Sequence, residues 1–188
     1  MTSKEEFIQI YKENIKREGA DKLLLWLEST DFFTCPASTK FHNNFEGGLV
    51  DHSVKVFHRL KKIVSDEKFN ISDESVAVIA LLHDVCKANI YKIDYRNVKR
   101  DGEWVKEPYF TVDDALPYGH GEKSVYIVSS FMKLTREEAM AINWHMGPYD
   151  ARNTANSYIV SDAFKKFPLS LLMLIADISS TYLDEKIK

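Results

Sequence analysis

Residues 79–87 read Ile-Ala-Leu-Leu-His-Asp-Val-Cys-Lys. The run is apolar on nearly every face until it carries an imidazole, a carboxylate and, a few residues on, an ammonium. A helix apolar all round belongs in a core. Ionised groups there cost several kcal/mol or more unless they are paired or bound to a cation. His83 and Asp84 therefore need a partner, and the simplest one is a divalent metal ion. That reading requires further ligands elsewhere in the chain.

The chain has 188 residues, 45% hydrophobic and 28% charged, which fits one soluble domain, 1–188, with a substantial core. A formal charge of −3 lacks the basic excess that long nucleic acid demands, though a nucleotide or short oligonucleotide remains compatible. Cys35 and Cys86 make no disulfide framework. The first residues carry no secretory pattern and the most apolar stretch, 168–178, is too short to span a bilayer. A cytoplasmic protein without membrane contact is the expectation.

Outward from the doublet, helical periodicity is strong. Residues 4–17 and 21–28 read as two N-terminal helices (within 1–30) packed on the core, and 49–65 as a helix with a clean apolar stripe. Ser72 caps the helix that carries the doublet, expected to run to about Cys86. Asp101-Gly102 between Tyr95–Arg100 and Glu103–Lys106 marks a β-hairpin in the 92–108 region. Helices are expected again over 119–132, over 135–146 with a Thr135/Glu138 capping box, over 155–166, and from 169 to about 186. The fold class is mostly α with one inserted hairpin.

The histidines are His42, His52, His58, His83, His120 and His145. At helical spacings His52, His120 and His145 fall on packing faces, as does Asp177 within PLSLLMLIADISS. Any one of them alone is an ordinary packed residue. Several distant helices all delivering imidazole or carboxylate inward is a pattern that points to one metal-holding cavity. His58 lies off its stripe and is expected on the surface.

In this order, His52, the His83-Asp84 doublet and Asp177 resemble the signature of the HD domain superfamily of metal-dependent phosphohydrolases. His120 in GHGEKS and His145 in INWHMG resemble the extra histidines of its two-metal members. The likeness covers residues 41–183, and FHNNFEGGLVDHSVKV (41–56) resembles the same region in the HD domains of certain 3′-5′ exoribonucleases. Such enzymes carry a nucleic-acid-binding domain ahead of the HD domain; here about forty residues precede the match, and they read as helices. One departure stands out: family members often have His-Asp-x-Gly-Lys, and Cys86 replaces that glycine while Lys87 is kept.

The resemblance implies an all-helical HD-type bundle. It implies one ion on His52, His83, Asp84 and Asp177, and a second on Asp84, His120 and His145. A mixed nitrogen and carboxylate set suits Fe, Mn, Zn, Co or Ni. The implied reaction is attack of a metal-bridging hydroxide on a nucleotide or similar small phosphoester, with Asp84 and Lys87 as catalytic residues. Lys87, Lys123, His42 and Arg96 are candidate substrate contacts. The hairpin could cover the pocket mouth, bringing Arg96, Arg100 or Trp104 to a base or sugar, or form the edge of a homodimer. Two other readings stay open: a dinuclear-iron oxygenase on the same fold, and a non-catalytic binding module stabilised by metal.

Overall fold

In a computed structural model of the chain, residues 1–153 and 158–185 are described. The described architecture is mostly helical, with one two-stranded antiparallel sheet. Helix α1 (Ser3–Asn14) opens on a Thr2/Glu5 capping box, and α2 is Ala20–Ser29. Phe7 and Tyr11 of α1 join Leu23 and Leu27 of α2 in the same core as the later helices.

Helix α3 (Gly48–Asp66) buries a stripe of Leu49, Val50, His52, Ser53, Val54, Val56, Phe57 and Leu60. Its start is pressed against the preceding loop: a Cβ on Gly48 would lie 2.0 Å from the Asn43 carbonyl oxygen, so only glycine fits. Helix α4 (Asp73–Leu82) begins at Ser72, whose hydroxyl accepts from the Ser75 N–H, and seven of its ten residues are buried. It packs on α3, which also packs on α8.

The hairpin is longer than its turn signal suggests. Strands β1 (Tyr91–Arg100) and β2 (Glu103–Val112) pair from Tyr91↔Val112 to Arg100↔Glu103. Asp101 and Gly102 both have positive φ, 50° and 91°, the backbone that a two-residue turn of this hand requires.

Helix α5 is His120–Ser129, and α6 is Arg136–Asn143 with the expected Thr135/Glu138 capping box. Helix α7 is Ile159–Lys166; the expected start of that helix, at 155–157, lies outside the described residues. Helix α8 (Pro168–Ser179) passes into a π-helical turn, Ser180–Asp184. The expectation of one helix to about 186 is corrected to that extent, and Lys186 itself lies outside the described residues. Among the described residues no helix is long and apolar enough to cross a membrane.

One correction concerns the stretch that opened the reading. Helix α4 stops at Leu82, His83 is its C-cap, and Asp84 leaves the helical region at φ −107°, ψ 17°; Val85–Lys87 form a separate 3-10 turn. His145 likewise lies beyond the end of α6, past the C-cap Trp144. In both places the histidine Nδ1 donates to the carbonyl three residues back: His83 to Ala80 (2.8 Å) and His145 to Ile142 (2.7 Å). That carbonyl would otherwise accept the next backbone N–H of the helix. The ring takes its place, and the helix ends where the site begins.

Candidate metal centre

Six side chains converge from across the chain. His52 comes from the second turn of α3, Asp177 from α8 and His120 from the first position of α5. His83, Asp84 and His145 come from the two helix ends described above. A Cβ on Gly121 would lie 2.2 Å from the Asn143 carbonyl oxygen. Glycine at this position therefore lets the start of α5 touch the end of α6, bringing His120 to His145, with ring centroids 5.3 Å apart.

The distances describe a cage. His52 Nε2 lies 3.1 Å from His83 Nε2, 3.2 Å from Asp177 Oδ1 and 3.7 Å from Asp84 Oδ2. His83 Nε2 is 3.5 Å from Asp84 Oδ2. The other Asp84 oxygen, Oδ1, is 2.7 Å from His120 Nε2 and 3.5 Å from His145 Nε2. His52, His83, Asp84 and His145 are buried, with His120 and Asp177 partly so.

Hydrogen-bond logic fixes the ring protons. A carbonyl or carboxylate oxygen only accepts, so Nδ1 of His83, of His145 and of His52 (2.6 Å from Glu185 Oε1) each carries the hydrogen. In the neutral rings each Nε2 then presents a lone pair inward. Two lone pairs 3.1 Å apart, on His52 and His83, repel unless a cation or a proton lies between them. His145 Nε2 is buried and makes no hydrogen bond. A buried polar atom without a partner is rare and costly, and a cation held here would supply one. The donor set of imidazole nitrogens and carboxylate oxygens is one that divalent transition metals accept. The residues present fit such ions.

Electrostatics follow the same division. Burial lowers the His83 and His120 pKa values, and the nearby Asp84 offsets this only in part, so both rings stay neutral. Burial alone would raise the Asp84 pKa; Lys87, His83 and His120 overcome it and hold the carboxyl well below its ordinary value. Burial disfavours a charged His52, but Asp177 and Glu185 outweigh it and raise that pKa to about 10 without metal.

Lys87, in the 3-10 turn rather than on the helix, still reaches the doublet: its Nζ donates to Asp84 Oδ2 at 2.6 Å. Cys86 has no positive φ, so this backbone does not need the family's glycine. Its N–H donates to Ser124 Oγ, and its sulfur lies 3.4 Å from His120 Nδ1.

The cage opens into a cavity of about 570 Å³ lined by Phe41, His42, Lys87, Tyr91, Tyr149 and Tyr182, among others. Of the expected substrate contacts, Lys87 and His42 are on its wall. Lys123 and Arg96 are not among the described residues that line it. Lys123 Nζ is held by Asp114 Oδ1 at 2.5 Å. Arg96 lies on the exposed hairpin over the Tyr109 ring, 3.5 Å from Glu107 Oε1. Tyr91 and Val112, at the base of the hairpin, reach the wall, whereas Arg100 and Trp104 at its tip do not line it. His58 is on the surface, bonded to Glu6. Glu185, which bonds His52, carried no sequence signal; it sits in a charged terminal run (DEKIK) of the kind that usually faces water.

Comparison with curated proteins and with solved structures returned no match. The family model of the HD domain matches residues 49–178, more than half of the chain. It spans His52, the doublet, His120, His145 and Asp177, and its members are in general metal-dependent phosphohydrolases that bind divalent metals. The converging side chains and the family match agree, and this chain belongs to the HD domain family.

Proposed function

We propose that the protein is a metal-dependent phosphohydrolase that cleaves a phosphoester of a nucleotide or a similar small phosphorylated molecule, using a pair of divalent transition-metal ions. His52, His83, Asp84 and Asp177 would hold one ion, and Asp84, His120 and His145 the other. The observation that carries this reading is the division of Asp84: Oδ2 faces His52 and His83, and Oδ1 faces His120 and His145. A carboxylate so placed can bridge.

Bound there, divalent cations supply Lewis acidity toward the phosphoryl group and acidify water. The chain's own residues do the rest. Water adds its oxygen to phosphorus, the ester P–O bond breaks, and the leaving oxygen takes up a proton. Lys87 Nζ, fixed on Asp84 Oδ2, points its charge to the cavity, where a non-bridging phosphoryl oxygen can share it. Phe41, Tyr91, Tyr149 and Tyr182 offer apolar ring surface to a base or sugar. Lys87 is the only lysine or arginine among the described residues lining the cavity. One cationic side chain suits a monophosphate or a short diester better than a triphosphate tail.

The test is a panel of nucleotides and other phosphoesters supplied to metal-loaded protein (Mn²⁺, Co²⁺ or Fe²⁺) with and without oxygen. Phosphate or alcohol release that persists without O₂ and stops on chelation is the expected result. Turnover that requires O₂ would instead assign the oxygenase reading, and metal uptake with no turnover of any substrate would favour the binding module.

A further inference from the structure

Glu185 lies outside the family match, at the end of the described chain, yet its side chain is fully buried against the metal cage. Both of its oxygens are in use. Oε1 takes the His52 Nδ1–H at 2.6 Å and the Ser180 hydroxyl at 3.2 Å; Oε2 takes the His42 Nδ1–H at 2.6 Å. The π-helical turn Ser180–Asp184 makes this possible by breaking off the α8 repeat just before the residue. A π turn widens the helix by one residue per bond and is common next to functional sites. Beside it, Arg59 of α3 holds Asp184 at 2.6 Å, fastening the turn to the helix that carries His52.

We propose that Glu185 is a positioning residue of the metal centre. By accepting the Nδ1–H of His52 it locks that ring in the tautomer whose Nε2 lone pair faces His83, Asp84 and Asp177. The proposal rests on the reading of His52 as a metal ligand. It also gives His42 a role. Nδ1 of His42 is held by the same carboxylate, so this cavity-wall ring is fixed in orientation, with ring centroids 5.0 Å from His52. A carboxylate behind a ligating imidazole sets the tautomer and raises ligand basicity, and losing it generally costs about 10–100-fold in metal affinity.

His42, His52 and Glu185 could themselves be read as a three-ligand site. The Ser180 hydroxyl argues against that: it donates to the same Oε1 as His52, so the carboxylate serves as the common acceptor of three protein donors.

Two measurements on the full chain decide the matter. Long-range ¹H–¹⁵N spectra of the histidine rings in metal-free protein report the tautomer, with the His52 signals identified by their loss in H52N. In spectra taken above the pH at which metal-free His52 loses its Nε2 proton, wild type is expected to show His52 protonated at Nδ1 alone. E185A is expected to give a tautomer mixture and Mn²⁺ affinity about 10–100-fold weaker by chelator competition. E185Q, which keeps one acceptor oxygen, should recover part of both. The same His52 tautomer and the same Mn²⁺ affinity in a folded E185A would overturn the proposal. So would the loss of one whole ion per chain in H42A, which would make the trio a metal site. A wild type that binds no transition metal removes both the phosphohydrolase reading and this one. A wild type that binds and turns over, alongside an unchanged E185A, removes only this one.

Discussion

Asp84 and Glu138 are both carboxylates sealed from solvent, and the difference between their surroundings separates a structural charge from a functional one. Glu138 is closed on itself. Its oxygens take two bonds from Arg17 (2.7 and 2.8 Å), the Ser75 hydroxyl (2.7 Å) and the Thr135 N–H (2.8 Å). These partners join the loop after α1, the start of α4 and the cap of α6. Asp84 has one matched cation, Lys87, and accepts from His120 Nε2 at 2.7 Å; beside it the Nε2 atoms of His52 and His83 face each other at 3.1 Å, and His145 Nε2 has no hydrogen-bond partner. A satisfied network fixes a fold, whereas one that leaves buried nitrogens without partners is suited to hold a cation.

The sharpest way to break the comparison is to remove each carboxylate. Asp84→Ala should abolish bound metal by elemental analysis and bring phosphoester turnover to the uncatalysed level, while the fold survives by circular dichroism. Retained turnover would show that Asp84 does not hold the ions. Glu138→Ala should do the reverse. Removing one partner of a buried ion pair costs about 3–5 kcal/mol, and the low end applies because the Arg17 side chain keeps 18% exposure and still faces Glu74 at 3.3 Å. Urea unfolding should report that loss with metal stoichiometry unchanged. Metal loss at unchanged stability would mean that the two clusters are not independent.

How far the site could be read from sequence turns on the same contrast. The α3 stripe placed His52 correctly because apolar periodicity over nineteen residues leaves one inward face. Thr135 and Glu138 were legible as a cap, since a capping box is local chemistry. The second task of Glu138, binding Arg17 from 121 residues away, was not. Nor was the end of α4, because no glycine or proline stands near His83; the helix is stopped by the histidine ring taking the Ala80 carbonyl. Glu185 is the clearest case. Nothing in a charged terminal run says that one member turns inward, and only the fold brings it to His42 and His52.

Acidity offers a finer test. The metal-free His52 has its pKa raised from 6.5 to about 10. A raised histidine contributes stability that is complete below 6.5 and is lost as pH climbs through about 10. The melting temperature of chelated protein should therefore fall across that interval, and metal affinity should rise, since the ion displaces the same proton. Burial tends to raise the Glu138 pKa, but Arg17, Ser75 and Thr135 hold it below 4.5. Its contribution is present above 4.5 and lost only as the solution becomes acidic. H52Q should thus remove the alkaline decline and Glu138→Gln should not. An alkaline decline that persists in H52Q would place the titrating group elsewhere.

The smallest effect is expected at Cys86, where the chain departs from the family pattern. Were a glycine needed for its backbone freedom, a cysteine there would show positive φ, and it does not. The thiol instead fills the space beside the His120 ring, 3.4 Å from Nδ1. Burial first, then the Asp84 charge, raises its pKa to about 12, so it stays protonated and does not compete as a thiolate ligand at neutral pH. Cys86→Gly should cost about 1 kcal/mol in backbone entropy. On the proposed two-ion reading both ions should remain, with affinity weakened only on the His120 side, where the ring loses its packing neighbour. Calorimetric titration of metal into the variant separates the two steps. Equal weakening of both would mean that Cys86 supports the doublet as a whole, and loss of one ion outright would make the sulfur a ligand.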